Sequence, residues 1–129
     1  MTVWRVMYDD WAMECCGTPF SVGDEVVWDV ARDTGGCPGG DDGTGVLRVA
    51  THGTGAPVVD RLAGRVRSIQ VVTEGFAVSP EDGGYRRVPG ERSLRQVTTC
   101  PKRFARGPAE GGRRSEETGV LVELDTSGG

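Results

Sequence analysis

The chain has 129 residues, of which 36% are hydrophobic, and a formal net charge of -4 at pH 7. This length suits one small domain spanning residues 1–129. No segment has the roughly 20 apolar residues of a membrane-spanning helix, and the first residues lack the basic flank and apolar run of a secretion signal, so we expect a cytoplasmic protein with no membrane partner.

Charged residues are unevenly distributed along the chain, and glycine is unusually frequent. Residues 1–60 hold ten acidic and three basic side chains, a net -7, whereas residues 61–129 hold nine acidic and twelve basic ones, a net +3. The acidic total argues against nonspecific coating of nucleic acid, which needs many phosphate-neutralising cations. Glycine, at 21 residues, is far above its usual share of about 7% and predicts short strands with many turns.

The first third of the chain predicts two strands around an irregular loop. Residues 3–8 alternate between apolar and polar positions, which is typical of a half-buried strand. Residues 11–20 read as a dense irregular loop that ends at Gly17 and Pro19. The next strand is the clearest in the chain, and its predicted inner face carries Val26, Trp28 and Val30.

The middle of the chain predicts a long loop and an interrupted strand. Residues 32–45 contain six glycines and almost nothing that could be buried, so we expect a flexible glycine-rich surface loop. A short strand is expected at 46–49. The strand at 64–72 changes phase, because Val66 and Ile69 fall on opposite faces, and this predicts a bulge near Arg67 and Ser68.

The last third predicts further short strands. Segments 85–88 and 94–99 read as strands, although 91–97 also fits one helical turn. Residues 107–118 are polar and rich in breakers, and they predict a polar excursion. Residues 119–125 then alternate cleanly, and we expect this final strand to pair with the first one. The side chains predicted to face inward are Val120, Val122 and Leu124.

These elements together predict an all-β fold. Five to seven short strands with glycine turns, and no convincing crossover helix, favour a small SH3-like or partly open β-barrel with long glycine-rich loops. In so short a chain the large aromatic side chains are expected to fill much of the core. The side chains expected there are Trp4, Trp11, Trp28 and the phenylalanines.

Several motifs resemble a family of small uncharacterised actinobacterial proteins. They are Tyr-Asp-Asp-Trp at 8–11, Glu-Cys-Cys-Gly-Thr-Pro-Phe at 14–20 and Val-Gly-Asp-Glu-Val at 22–26. The resemblance implies no catalytic residues, and it makes the cysteine pair and His52 family features. The segment 20–27 with a later His-Gly is also loosely similar to the CarD-type, SH3-like or Tudor-like barrels that bind RNA polymerase, which implies a protein partner in transcription.

The cysteines admit three interpretations. Without an export signal they are expected to be reduced, and adjacent Cys15 and Cys16 resist pairing with each other. Zinc binding by Cys15, Cys16 and His52 is one hypothesis, although no Cys-x-x-Cys knuckle is present. A second is a nucleophilic cysteine with His52 as its base. The third is that a thiol only fills a gap under an aromatic ring.

The segment 85–106 is rich in arginine. With Tyr85 and Phe104 interleaved, it could follow a single-stranded nucleic acid. It also fits a solvated face that balances the acidic first half, and the acidic net charge favours that interpretation.

The leading hypothesis from sequence is a non-enzymatic module that binds a protein partner. It would bind through an exposed strand edge or through the loop at 11–20. The alternatives are the zinc protein and the nucleic-acid binder. The candidate binding residues for these surfaces are Trp11, Glu14, Phe20, Arg86, Arg87 and Arg95.

Overall fold

The structure, a computed structural model, describes residues 2–32, 47–50 and 60–126. Most of the predicted glycine-rich loop, residues 33–45, and the proposed ligand His52 lie outside the described residues. The described elements are β1 (Val3–Asp9), α1 (Asp10–Cys16), β2 (Glu25–Arg32), β3 (Leu47–Val49), β4 (Asp60–Val78), β5 (Tyr85–Val97) and β6 (Arg113–Asp125).

The strands form one sheet that closes on itself. Their order is β2-β3-β1-β6-β4-β5, and an additional pairing joins β2 to β4. Five strands therefore make a ring, while β5 lies outside it along the second half of β4. The all-β prediction is confirmed, although the ring is not a regular barrel.

The first and last strands lie side by side, as predicted. β1 and β6 are antiparallel over seven residue pairs, from Val3 opposite Asp125 to Asp9 opposite Gly119. Because both strands present alternate residues to the same interior, Val6 and Val122 meet inside the ring. This pairing brings the two ends of the described chain together.

Aliphatic side chains from β1, β4 and β6 fill the inside of the ring. All three residues predicted to face inward from the last strand belong to this core. The predicted bulge is also confirmed, because the register between β4 and β6 shifts between Val66 and Ser68. That shift lets both halves of β4 supply core residues, which include Val66, Ile69 and Val71.

Two tryptophans predicted for the core are instead at the surface. Trp4 is 39% exposed and Trp11 is 42% exposed, whereas Trp28 packs against the core. Trp4 is the second residue of β1, before its buried part begins at Val6. Trp11 lies on a helix that buries Ala12 and Met13 instead. The alternation at 3–8 correctly placed Val6 and Tyr8 in the core, but the strand is not half-buried as predicted, because Met7 on its other face is buried as well.

The second half of the sheet is more regular than the sequence predicted. The segments expected to be two short strands belong to one strand, β5, and residues 113–118 of the predicted excursion form the first half of β6. β5 buries almost none of its side chains. A strand without a buried face has no reason to alternate in hydrophobicity, so its sequence carried no clear pattern.

Candidate functional site

The segment predicted to be an irregular loop begins with a helix. α1 covers Asp10–Cys16 and buries Ala12 and Met13 against the core. It ends at Gly17, whose N–H is 3.1 Å from the carbonyl oxygens of both Ala12 and Met13. Only the residues from Gly17 to Phe20 are loop, so α1 sets where this loop begins.

Two side chains hold α1 and its loop to the segment before β6. Lys102 Nζ donates hydrogen bonds to the carbonyl oxygens of Met13, at 2.6 Å, and Gly17, at 2.8 Å. Glu14 Oε2 accepts a hydrogen bond from the Phe104 N–H at 2.9 Å. Glu14, a predicted binding residue, therefore has a structural contact, and the only lysine of the chain binds the last carbonyls of a helix.

Lys102→Met is expected to lower the free energy of unfolding by about 2 kcal/mol, because methionine keeps the apolar stem but removes the charged donor from the Gly17 carbonyl and one of the two donors from the Met13 carbonyl, which also accepts from the Gly17 N–H. Chemical denaturation measures the change. Arg103→Met is the matched control, since Arg103 is exposed, and it is expected to stay within about 0.5 kcal/mol of wild type. Equal stability of the two variants would contradict this role of Lys102.

Three aromatic rings meet where the loop crosses β2. The ring centroids of Phe20 and Trp28 are 4.9 Å apart and those of Tyr8 and Trp28 are 5.4 Å apart, both edge to face. Tyr8 and Phe20 are only 6% and 4% exposed, so Trp28 keeps most of the accessible surface of the three. Burial raises the pKa of the Tyr8 phenol, with a smaller contribution from Cys100, and the phenol stays protonated.

These rings form the floor of a groove of about 520 Å³, which we call the aromatic groove. This volume lies within the range of about 300–1,000 Å³ found for ligand sites. The loop reaches the rings closely, since a Cβ placed on Gly17 would lie 2.7 Å from the Tyr8 hydroxyl oxygen. The residues that line the groove are Tyr8, Cys16, Gly17, Thr18, Pro19, Phe20, Asp24, Glu25, Val26, Val27 and Trp28.

One wall of the aromatic groove is an open strand edge. β4 pairs with β2 from Glu25 to Val30, whereas on the other side of β2 the pairing with β3 begins only at Val30. Among the described residues, no strand pairs with this second edge between Glu25 and Trp28. We call this stretch the open edge of β2.

The hydrogen bonds at both ends of β2 show which backbone groups face the open edge. The Asp24 carbonyl accepts a hydrogen bond from Val66 of β4, and the Asp29 carbonyl accepts one from Ala50 on the β3 side. Successive residues of an antiparallel strand direct their N–H and C=O groups to opposite edges. The backbone groups of Glu25 and Val27 therefore face the open edge, where none of the described strands pairs with them.

Two acidic residues, Asp24 and Glu25, are among those that line the groove, and both are exposed. The Glu25 side chain lies on the face of β2 opposite to Trp28, because side chains alternate along a strand. No arginine, lysine or histidine is among the described residues that line the groove. The Asp24 carboxylate accepts a hydrogen bond from the Ser21 N–H at 2.8 Å. Glu25 lies 3.1 Å from Arg65, but both side chains are exposed, and such pairs contribute little.

The cysteines are arranged differently from either chemical hypothesis. The structure joins Cys15 and Cys16 in a disulfide at the end of α1, contrary to the expectation that adjacent cysteines resist pairing. Cys100 is buried, and burial raises the pKa of its thiol to about 12. Zinc binding and nucleophilic attack both use thiolates, so either role would first require reduction of the Cys15–Cys16 disulfide or deprotonation of Cys100.

The proposed zinc set is not complete in the part of the chain that is described. His52 lies outside it, and within it no group of three or more histidine, cysteine or carboxylate side chains is placed to hold a metal ion. Zinc binding by Cys15, Cys16 and His52 stays a prediction.

Trp11, one of the candidate binding residues, is exposed on α1 and does not line the groove.

Three of the four arginines of β5 are paired with carboxylates of neighbouring segments. Arg87 Nε lies 2.7 Å from Glu74, which is only 3% exposed and also accepts a hydrogen bond from Thr118 Oγ1. Two further pairs are Arg86 with Asp82 at 2.7 Å and Arg95 with Glu117 at 3.1 Å. This arrangement favours a charge-balanced face over a track for nucleic acid.

Sequence reasoning placed Phe20 in the site but missed its neighbours. Trp28 was expected only to fill the core, and Tyr8 and Asp24 were not among the candidate binding residues. Their role in the groove depends on β2 crossing the loop, which no local pattern encodes. The sequence feature that could have indicated the groove is the presence of Gly17 and Pro19 next to an aromatic residue and an acidic turn.

The comparisons with known proteins identify a family but no activity. A family model described as "Family of unknown function (DUF6578)" matches residues 2–126. No curated protein and no solved structure matches the chain. The expected resemblance to an uncharacterised family is confirmed, whereas the actinobacterial origin and the SH3-like and CarD-type resemblances stay predictions. Among the described residues, no helix is long and apolar enough to cross a bilayer.

Proposed function

The chain belongs to DUF6578, a family of unknown function, and we propose that it is a non-enzymatic module that binds an extended segment of a protein partner in the aromatic groove. The observation that carries this proposal is the open edge of β2, which runs along a floor of three aromatic rings. The sequence suggested a strand edge or the loop at 11–20 as the binding surface, and residues 16–20 of that segment line this groove beside the edge of β2.

Binding would proceed by addition of a strand. The partner segment pairs with the N–H and C=O groups of Glu25 and Val27, which supplies main-chain hydrogen bonds without regard to its sequence. A side chain of that segment lies on the exposed part of Trp28, above Tyr8 and Phe20. Selectivity then comes from the side chain that fits this floor.

The outer edge of β5 is a less suitable place for strand addition. Pro89 removes a backbone donor, and the pairing with β4 changes register between Glu74 and Phe76. The same strand also carries four arginines. Proline, irregular pairing and charge are the features by which proteins protect an edge strand from pairing with another chain. The open edge of β2 between Glu25 and Trp28 contains no proline.

The proposal is tested by changing one backbone donor. Val27→Pro removes the N–H that faces the open edge, and it leaves the pairing with β4 intact because that N–H points away from β4. Val27→Thr is the matched control, since it keeps the N–H and a β-branched shape at a side chain that is 61% exposed. Both variants are compared with wild type in capture from a native lysate, after circular dichroism has confirmed their folding.

We expect wild type and Val27→Thr to retain the same partner, and Val27→Pro to retain at least about tenfold less of it, as the loss of buried main-chain hydrogen bonds implies. Equal retention by a folded Val27→Pro variant would refute binding at this edge. The absence of any retained partner above background would refute the binding function itself.

A further inference from the structure

The disulfide between Cys15 and Cys16 lies at the surface. It joins the last two residues of α1, and both cysteines are exposed, whereas Cys100 is buried. Thiol–disulfide exchange requires a thiolate to reach a sulfur atom, and exposed disulfides are typically the labile or regulatory ones. The exposure of this pair therefore indicates that small thiols can reach it.

A structural role explains this disulfide poorly. A disulfide stabilises a fold mainly by closing a loop of the unfolded chain, and the effect grows with the length of that loop. Cys15 and Cys16 are adjacent in the chain, so the loop that they close is the shortest possible. The end of α1 is also held by two hydrogen bonds from Lys102 and by the N–H of Gly17, and these contacts do not require the disulfide.

The pair is directly connected to the aromatic groove. Cys16 lines the groove together with Trp28, and the next residue, Gly17, begins its loop wall. Gly17 is closely packed, because a Cβ placed on it would lie 2.7 Å from the Tyr8 hydroxyl oxygen and 2.8 Å from Met13 Sδ. Since the Tyr8 ring contacts Trp28 edge to face, a shift at the end of α1 reaches the floor of the groove.

Reduction changes the freedom of this wall. The disulfide fixes the side chain of Cys16 relative to that of Cys15, whereas two separate thiols each rotate about their own χ1. A partner that binds the reduced protein has to order the freed side chains, which costs affinity. The oxidised protein is therefore the form whose groove is already ordered for binding.

We infer that Cys15 and Cys16 form a thiol–disulfide exchange site whose redox state alters the aromatic groove, with the disulfide as the form that binds more tightly. The reagents that act on the site are small thiols as reductants and small disulfides as oxidants. The effect on binding rests on the proposed function, whereas the exchange reaction and the response of the groove do not.

Reduction of the pair transfers two electrons and two protons. The thiolate of one small thiol attacks a sulfur of the pair, which breaks the Cys15–Cys16 bond, forms a mixed disulfide and releases one cysteine as a thiolate that takes up a proton. A second small thiol then attacks the mixed disulfide and displaces the other cysteine, which is protonated in turn. The two small thiols leave as one disulfide, and re-formation of the Cys15–Cys16 bond follows the reverse path, favoured by the adjacency of the two thiols.

Mass spectrometry tests the exchange reaction. The folded protein is equilibrated in glutathione buffers with a rising oxidised fraction, and its free thiols are trapped with N-ethylmaleimide. Trypsin then releases residues 6–32 as one peptide, which contains Cys15 and Cys16 and neither of the other two cysteines. We expect this peptide to pass from two labels to none in a single step. Cys15→Ser, which leaves one thiol in the peptide, is expected to carry a bound glutathione instead.

The indole N–H resonance of Trp28 shows whether the groove responds. It is assigned by its loss in Trp28→Phe, and the resonance of Trp4, which does not line the groove, is the internal control. We expect the Trp28 resonance to differ between the oxidised and reduced protein and that of Trp4 to stay the same. In the double variant Cys15→Ser with Cys16→Ser, confirmed as folded by circular dichroism, neither resonance should respond to the buffer.

Capture from a native lysate measures the consequence for binding. We expect oxidised wild type to retain at least about threefold more partner than reduced wild type, as the ordering of one side chain on binding implies. The double variant should retain equal amounts in both buffers, which separates an effect of this pair from redox changes in the partner.

The inference is overturned if the peptide keeps two labels in oxidised glutathione or none in reduced glutathione, because the pair then does not exchange. An unchanged Trp28 resonance after reduction would separate the exchange site from the groove, and equal retention of the partner by both forms would show that binding does not depend on it. Failure of the proposed function appears differently, as no retained partner or as equal retention by Val27→Pro, and leaves the first two readouts intact.

Discussion

Replacement of Gly119 by alanine is expected to lower the free energy of unfolding by about 3 kcal/mol or more. Gly119 has a φ of +147°, and a Cβ at this position would lie 2.3 Å from the Tyr8 carbonyl oxygen. It would also lie 3.1 Å from the Cα of Asp9. These atoms are backbone of the strand paired with β6, so they cannot move without disturbing the pairing of β1 and β6.

Urea denaturation followed by circular dichroism measures this effect. Gly84→Ala is the control, because the nearest atom to its added Cβ, at 3.3 Å, belongs to the side chain of Asp82 on an exposed turn. We expect the control to change stability by less than about 1 kcal/mol. A Gly119→Ala variant as stable as this control would show that β1 and β6 do not approach each other as described.

Phe20→Ala is expected to cost about 3–4 kcal/mol, as truncation of a buried phenylalanine commonly does. Phe20 is only 4% exposed and contacts the rings of both Tyr8 and Trp28. Its carbonyl also accepts a hydrogen bond from Cys100, at 2.8 Å, which ties the loop to the segment after β5. The lost ring would leave a cavity between β2 and the core.

Trp11→Ala is the informative comparison, because the sequence suggested both residues as binding residues. Trp11 is 42% exposed and outside the aromatic groove, so its truncation is expected to cost less than about 1.5 kcal/mol. Thermal unfolding of the two variants side by side measures the difference. If Trp11→Ala were the more damaging variant, the assignment of Phe20 to the core and of Trp11 to the surface would be wrong.

The strands whose alternate residues enter the main core could be predicted from the sequence. In β1, β2 and β6 alternate side chains enter the core, and Val26, Val122 and Leu124 lie where the alternation placed them. The phase change in β4 likewise predicted the bulge after Val66. Alternate residues of these strands enter the main core, so their hydrophobic pattern indicates the structure, although Met7 and Leu121 are also buried on the other face in a second cluster with Val72.

The helix α1, the strand β5 and the segment 113–118 could not be predicted in this way, because they have no clear hydrophobic period. α1 buries only Ala12 and Met13, and two buried positions in one short helix do not establish a helical period. β5 buries no face, so nothing in its sequence separated a strand from a helical turn. The segment 113–118 was missed for the same reason, since its side chains are half-buried or exposed.

The candidate site was predictable only in part. The loop at Phe20 could be singled out by its dense mixture of rings, glycine and proline. The open edge of β2 could not, because it depends on which strands pair with Glu25 and Val27, and among the described residues β3 pairs only with Val30, Ala31 and Arg32. Pairing between strands distant in sequence decides which backbone groups remain available, and no local pattern carries that information.

Site-specific photo-crosslinking in a native lysate tests most directly whether a partner binds in the aromatic groove. A benzoylphenylalanine replaces Thr18, an exposed residue that lines the aromatic groove, and in a second protein it replaces Leu94, which is 41% exposed on β5. We predict that position 18 crosslinks to the retained partner and that position 94 does not. Crosslinking from position 94 alone would contradict binding in the aromatic groove and would place the partner on β5.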